Sequence, residues 1–358
     1  MRRGLMAWDA DELPLDALKA RLQRLQAAMA ERSQDALLLY TNFIRSGAVS
    51  YVTAFSPYWA DGVLLVLQSG EPLFATTLSK RVGSWIQSVK PVGELVNSPT
   101  PGAVLGKRLA ADGAKRVAVL ELDAFPAGLY DDLAAALPGV DIVDGGETFA
   151  AARSHLDAAE RRLLSRADMI ARDALDGLKL DAAADVGTAV GIVEKSARLQ
   201  GAEEVYVAIA PDLDSDRRFV RASGPLPLGH RFAIRATVAY KSSWVRRAKT
   251  YARDEKDCLA VARADEWFKR FIARIEVDRA LGGQLASALA DLPAARLTGW
   301  IAEAVNGTRP LAVAASMSQP NKSLSHVPAL MLTLALDVDG VPWCGAGLAG
   351  LVHAGNPA

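Results

Sequence analysis

Two β-strands joined by a tight turn are predicted by the stretch Phe232-Ala-Ile-Arg235-Ala-Thr-Val-Ala-Tyr240-Lys-Ser-Ser-Trp244-Val-Arg246-Arg247-Ala-Lys249-Thr250. It lies within a longer segment, Arg217 to Arg253, that contains eight Arg and two Lys but no Asp or Glu. Because side chains alternate between the faces of a strand, Arg235 and Thr237 are expected on one face and Ile234 on the other. The stretch therefore predicts a hairpin with a strong local positive charge.

Length and composition indicate two globular domains. The 358 residues are 51% hydrophobic and 23% charged, which is enough apolar material for a large core. A change of pattern near Phe149 to His155 separates an expected first domain, residues 1–150, from a second, residues 151–358. The formal net charge is zero, so any basic surface is local and binding to nucleic acid is not implied.

The first half alternates helices and strands, which is typical of an α/β domain. Leucines at helical spacing predict a helix over Leu15–Arg32. Further helices are predicted over residues 78–89, 103–112 and 127–137, and further strands over residues 35–40, 116–122 and 140–143. The apolar runs Gly62–Leu67 and Leu73–Thr77 predict strands, separated by the turn Gln68-Ser-Gly-Glu-Pro72. No glycine-rich phosphate loop follows a predicted strand, which argues against nucleotide binding by this half.

The second half combines long helices with antiparallel strand pairs, as in an α+β domain. Helices are predicted over residues 156–178, 184–200, 255–275 and 283–292, and strands over residues 205–210, 231–240, 244–250 and 329–337.

Cysteine content and the start of the chain favour a cytoplasmic protein. Cys258 and Cys344 are far apart and are expected to be reduced rather than bridged. Asp9, Asp11 and Glu12 interrupt the apolar run that a secretory leader would need. No apolar run approaches the roughly 18 residues that a membrane span requires.

Several short motifs occur in the order found in the creatinase, aminopeptidase P and prolidase superfamily. The segment Asn42 to Phe55, followed by Gly62-Val-Leu-Leu-Val and the turn Gly70-Glu-Pro, resembles the N-terminal domain of that family. Ala152 to Ala167 resembles the entry to its catalytic domain, and Leu226-Pro-Leu-Gly229-His230 lies where the family has Leu-x-x-Gly-Asp before a metal-binding hairpin. The resemblance implies a Rossmann-like N-terminal domain, a C-terminal α+β pita-bread domain and a dimer.

The resemblance also implies a dinuclear metal site made of two Asp, one His and two Glu, and this sequence departs from it. The first Asp position falls on Arg235 and the second on Arg246 or Arg247, depending on the length of the turn. The two Glu positions fall on Ala335 or Leu336 and near Cys344 to Gly347. A guanidinium offers only donors and keeps its charge, so it cannot ligate a metal. We therefore expect no metal and no other cofactor.

Creatinase, a member of this superfamily that works without metal, uses a His before the hairpin as acid and base. Here that position falls near Arg217-Arg218-Phe219. His230 and His326 are the other candidates, with turn or loop hydrogen bonding as the alternative role of each. The arginines have two possible roles as well: pairing with the protein's own acids, such as Asp212, Asp254 and Asp337, or holding an anion.

Two functions follow from these observations. The first is a degenerate, metal-free pita-bread protein that acts as a binding or partner subunit, as a homodimer or with an intact paralogue. The second is a metal-independent hydrolase or lyase acting on a small anionic substrate held by arginines. In either case the candidate pocket residues are Arg218, His230, Arg235, Tyr240, Arg246, Arg247 and His326.

Overall fold

A computed structural model of the protein describes residues 8–57, 60–277, 279–305, 311 and 328–350. The chain forms two units, and the boundary between them along the chain falls between Ala159 and Glu160. None of the helices in these ranges is long and apolar enough to cross a membrane.

The described residues of the first unit form six α-helices and six strands. The helices are α1 (Leu15–Glu31), α2 (Gly47–Thr53), α3 (Lys80–Val89), α4 (Pro101–Ala111), α5 (Ala127–Ala136) and α6 (Gly146–Ala152). The strands are β1 (Ala36–Thr41), β2 (Gly62–Leu67), β3 (Leu73–Thr76), β4 (Glu94–Asn97), β5 (Arg116–Val119) and β6 (Asp141–Asp144). These strands form one sheet in the order β4-β3-β2-β1-β5-β6.

This first sheet is mixed. The predicted turn between β2 and β3 makes the two strands antiparallel, and β2 is also antiparallel to β1. The pairs β1–β5, β5–β6 and β3–β4 are parallel, as a Rossmann-like α/β domain requires. Both sheet faces are buried in apolar clusters, one around Leu37 and Leu39 and the other around Leu38 and Val63. The unit is therefore a layered α/β domain.

The described residues of the second unit form four helices and six strands. The helices are α7 (Ala158–Asp176), α8 (Val186–Leu199), α9 (Glu255–Arg274) and α10 (Leu281–Leu289). The strands are β7 (Glu204–Ala210), β8 (Arg231–Tyr240), β9 (Ser243–Ala252), β10 (Ala295–Ala304), β11 (Leu330–Val338) and β12 (Val341–Ala349). They form an antiparallel sheet in the order β10-β11-β12-β9-β8-β7.

All four helices of this unit pack on one face of the second sheet, which we call the helix face. Ile234 of β8 is buried in the cluster that α7 and α8 form, and Trp343 of β12 is buried against α9. Alternation along β8 places Arg235 and Thr237 on the opposite face. We call this opposite face the arginine face.

Five elements are absent from the sequence-based prediction: α2, β4, α6, β10 and β12. β12 is buried along its whole length, so it lacks the alternation of apolar and polar residues that marks a half-exposed strand. The prediction was wrong in leaving these segments without secondary structure.

Asp265 of α9 carries a buried carboxyl group beneath the second sheet. It accepts a hydrogen bond from the indole Nε1–H of Trp343 at 2.8 Å. Burial raises the pKa of Asp265 from 3.8 to about 6. Because the folded protein binds this proton more tightly than the unfolded chain, the contribution of Asp265 to stability falls as the pH rises between these two values.

We expect Asp265→Asn to be more stable than the parent by about 1–2 kcal/mol at pH 7, since it removes the buried charge and keeps the acceptor oxygen. The difference should shrink as the pH falls from about 6 to about 4 and stay small below that, where Asp265 is protonated in both states. Denaturant unfolding across this pH range measures it. Asp173→Asn, an exposed carboxylate on α7, is the control, and an equal gain in both variants would contradict the prediction.

Candidate functional site

The turn between β8 and β9 determines which arginines share a face. Lys241 and Ser242 both have positive φ, 46° and 65°, as a two-residue hairpin turn requires. The side chain of Glu203 accepts a hydrogen bond from the backbone N–H of Ser242 at 2.6 Å. In the resulting register Thr237 lies opposite Arg246. Arg246 therefore lies on the arginine face with Arg235.

Arg247 lies on the helix face instead. It pairs with the carboxylate of Asp168 on α7 through two hydrogen bonds of 2.6 Å, from Nε and from Nη2. The sequence left the position of the second metal-binding aspartate open between Arg246 and Arg247, and of these two the register places Arg246 on the face of Arg235. Asp168 was not among the acids expected to pair with these arginines. Arg247 thus connects the sheet to α7 and does not reach the candidate pocket.

Arg246 is buried and has all its side-chain nitrogens occupied. Its Nε donates to Thr237 Oγ1 at 3.3 Å, Nη1 donates to the Glu303 carboxylate, and Nη2 donates to the backbone carbonyl of Leu311. Burial raises the pKa of Glu303, while Arg246 and Arg235 oppose that rise. The pair is a buried ion pair with its donors satisfied, which is the condition under which such pairs are tolerated.

Arg235 has a different environment. It is half-buried, and the ring of Phe219 lies 5.0 Å from its guanidinium carbon. Its side chain makes no hydrogen bond or ion pair with the rest of the described chain. Burial and repulsion by Arg246 lower the pKa of Arg235 to about 10, against an opposing attraction to Glu303. Arg235 is therefore a partly desolvated cation without an acidic partner in the described residues.

Residues 217–221 cross the arginine face in an extended conformation. Every second side chain of this segment contacts the sheet. Arg217 pairs with Asp337 at 2.8 Å, Phe219 covers Arg235, and Arg221 lies 4.7 Å from the ring centre of Tyr206. A bridge between Ile209 and Val220 holds the segment against β7. This segment forms one wall beside Arg235.

The remaining positions that the resemblance assigns to metal-binding acids hold small residues. Ala335 and Cys344 are paired across β11 and β12, and Ala346 is paired with Ala248 of β9. Leu336, the alternative position, points to the helix face and is buried in the cluster of α9. Burial raises the pKa of the Cys344 thiol to about 11, so it is protonated at neutral pH and is a poor nucleophile.

These positions offer no ligand set for a metal ion. Within the described ranges there is no group of three or more His, Cys, Asp or Glu side chains that could hold one. Glu303 and Asp337, the acids named above on or beside this face, are both engaged by arginines. The donors that remain are guanidinium groups, which do not bind cations.

The other predicted pocket residues lie elsewhere. Arg218 is 85% exposed and pairs with Asp216 at 2.7 Å. His230 is 76% exposed at the start of β8, roughly 16 Å along the strand from Arg235. Tyr240 is on the helix face, where Arg166 lies over its ring. His326 falls outside the described residues. Of the seven candidates, the structure brings together Arg235 and Arg246.

The candidate pocket residues chosen from the sequence did not include three residues of this site: Thr237, Phe219 and Glu303. Thr237 was expected on the face of Arg235, two positions along the same strand, but it was not named as a site residue. Phe219 lies between Arg217 and Arg221 with the same spacing of two. Glu303 lies on β10, which was not predicted as a strand, so nothing placed it near the hairpin.

Comparison with known proteins identifies the fold. Residues 21–155 match the family model of the Creatinase/Prolidase N-terminal domain. The Xaa-Pro dipeptidase from Bacillus anthracis aligns with a TM-score of 0.67 and 14% identity, over 95% of this chain and 98% of that one. The fold is that of the creatinase and aminopeptidase P superfamily. The second unit is its pita-bread domain, as the sequence motifs predicted.

Two further solved structures share this architecture. The prolidase from Pyrococcus horikoshii OT3 aligns with a TM-score of 0.64 and 13% identity, over 94% of this chain and 99% of that one. The N-terminal domain of the FACT complex subunit SPT16 from Cicer arietinum aligns with a TM-score of 0.64 and 15% identity, over 96% and 97%. No curated protein has significant similarity to this chain. At these identities the likeness concerns the fold alone.

The two arginines of the pita-bread sheet should respond to truncation in opposite directions. Arg246→Met leaves Glu303 buried without its partner, so we expect a loss of about 3 kcal/mol in the free energy of unfolding. Arg235→Met removes a cation that has no acidic partner, so we expect a gain of about 1 kcal/mol.

Denaturant unfolding of both variants measures this difference. The double variant Arg246→Met/Glu303→Leu should recover most of the stability lost in Arg246→Met, because it removes both charges of the pair. Equal losses in the two single variants would show that Arg235 has a stabilising partner and would overturn this description of the site.

Proposed function

We propose that this chain is a metal-free pita-bread protein with a binding role, and not a metallopeptidase. The observation that carries the proposal is the juxtaposition of Arg235 and Arg246, which lie where the resemblance places two metal-binding aspartates. A dinuclear site needs carboxylates to neutralise two divalent ions and to hold a shared water. Two guanidinium groups repel those ions.

The charge on the arginine face supports this proposal. Arg235, Arg246 and Glu303 together carry a net positive charge, and Glu303 is committed to Arg246. Phe219 lies close to the position where the resemblance to creatinase implies a catalytic His, and a phenyl ring cannot accept or donate a proton. The face is thus better suited to holding an anion than to acid and base chemistry.

A binding role also has a precedent in the fold. The N-terminal domain of SPT16 aligns with 96% of this chain, and SPT16 is a subunit of the FACT complex. We include in the proposal a partner for this chain, either a second copy or an intact paralogue.

Metal analysis and a peptidase assay test the central claim. We expect purified protein dialysed against Mn²⁺, Co²⁺ or Zn²⁺ to retain less than about 0.1 metal ion per chain, since the arginine face offers donors where ligands are needed. We also expect no cleavage of Xaa-Pro dipeptides with any of these metals. The prolidase from Pyrococcus horikoshii OT3, prepared in parallel, is the positive control.

Two outcomes would contradict the proposal. Stoichiometric metal that is lost in Glu303→Gln would show that a metal site exists despite the arginines. Turnover of a small carboxylate in the presence of a chelator would instead support the metal-independent hydrolase or lyase. Light scattering of the purified chain, alone and mixed with an intact paralogue, tests the partner.

A further inference from the structure

The cations of the acid-free segment are mostly neutralised by acids from elsewhere in the chain. At least six of the ten cations between Arg217 and Arg253 form ion pairs with described residues. The pairs are Arg217 with Asp337, Arg218 with Asp216, Arg231 with Asp214 and Asp257, Arg246 with Glu303, Arg247 with Asp168, and Lys249 with Asp176. Arg253 donates to the carbonyl of Ala183 at 3.4 Å. Arg235 stands out because it is half-buried and its donors have no acceptor among the described residues.

The contact with Phe219 does not use the hydrogen-bonding capacity of Arg235. An aromatic ring interacts with the charge of a guanidinium through its face and accepts no regular N–H hydrogen bond. The five N–H donors of Arg235 lie in the plane of the group and have the geometry of a fork that matches two oxygens. Phe219 therefore supports one side of Arg235 and leaves its donors for a ligand.

Small side chains flank Arg235 along the sheet. Its neighbours in the register are Ala208 on β7 and Ala248 on β9, and Ala248 is paired in turn with Ala346 on β12. Ala208 and Ala346 are buried and Ala248 is half-buried. Their methyl groups offer no hydrogen-bond acceptor, so the row leaves the donors of Arg235 to a ligand.

The charge near Arg235 and the shape of its guanidinium together indicate which anion fits. Arg246 and Glu303 cancel each other, so Arg235 and the neighbouring Arg221 leave this part of the face with a net positive charge. An anion would offset that charge in a partly desolvated place. A carboxylate also has the planar pair of oxygens that a guanidinium binds with two hydrogen bonds.

We propose that Arg235 is the anchor of a carboxylate-binding site on the arginine face, formed with Phe219 and the small residues beside it, and that its ligand carries a single carboxylate. This inference deepens the binding role proposed above and depends on the absence of metal from the same face. The carboxylate belongs either to a small organic acid or to the C-terminus of a peptide, which share this chemistry.

Binding of simple probes tests the site. N-acetylglycine represents the small acid, trialanine represents the peptide terminus, and N-acetylglycinamide and trialanine amide are their uncharged counterparts. We expect saturable binding of at least one acid by ligand-observed NMR or calorimetry, and no binding of the matching amide. Arg235→Gln should weaken the binding by about 10-fold or more, because a charge-assisted pair of hydrogen bonds is lost.

Control variants separate the site from general charge effects. Arg198→Gln removes an exposed arginine of α8 that pairs with Glu194, and it should bind the acid as the parent does. Arg235→Lys keeps the charge but loses the fork, so its affinity should lie between those of the parent and of Arg235→Gln. Thermal unfolding of each variant establishes that it is folded.

Three outcomes would overturn the inference: equal binding of acid and amide, unchanged binding in Arg235→Gln, or inorganic phosphate binding more tightly than either acid. A metal-free, peptidase-inactive chain that binds neither acid would refute the carboxylate site and leave the proposed binding role intact. Stoichiometric metal in the same preparation would refute the proposed function itself, so the two failures are distinguishable.

Discussion

The two-residue turn between β8 and β9 is the constraint on which the arginine face depends. With Lys241 and Ser242 both in the left-handed region, Tyr240 is paired with Ser243 and the register of both strands follows. Side chains alternate with a period of two, so a shift of one residue would place Arg247 on the arginine face and Arg246 against the helices. The turn thus separates an arginine that joins the sheet to α7 from one that lies beside Arg235.

Arg235 and Arg246 are neighbours on one face, yet only one of them has an acidic partner among the described residues. The cost of burying Arg246 is offset by Glu303, Thr237 and the carbonyl of Leu311. Arg235 has an aromatic contact instead, which is weaker than a charge-assisted hydrogen bond. Natural proteins commonly break a local rule of this kind at functional sites. This contrast distinguishes a structural arginine from a binding one within the same hairpin.

The sequence predicted the hairpin well because its pattern is local. The predicted bounds of β8, Arg231–Tyr240, agree with the structure, and the predicted separation of Arg235 from Ile234 holds. The sequence could not predict which acids pair with these arginines. Asp168 lies 79 residues from Arg247, and Glu303 lies 57 residues from Arg246. β12 was not predicted for another reason. It is buried along its whole length, so its sequence lacks the alternation of apolar and polar residues that indicates a half-exposed strand.

The position of Glu303 connects the charge of the arginine face to local opening of the sheet. Glu303 lies on β10, which is an edge strand of the described sheet and is paired there with β11 alone. Edge strands open more readily than central ones, so their amides exchange with solvent at lower free-energy cost. Each local opening of β10 would withdraw the carboxylate from Arg246 and raise the positive charge of the arginine face by one unit. The electrostatic potential of this surface is therefore coupled to the local stability of its most peripheral strand.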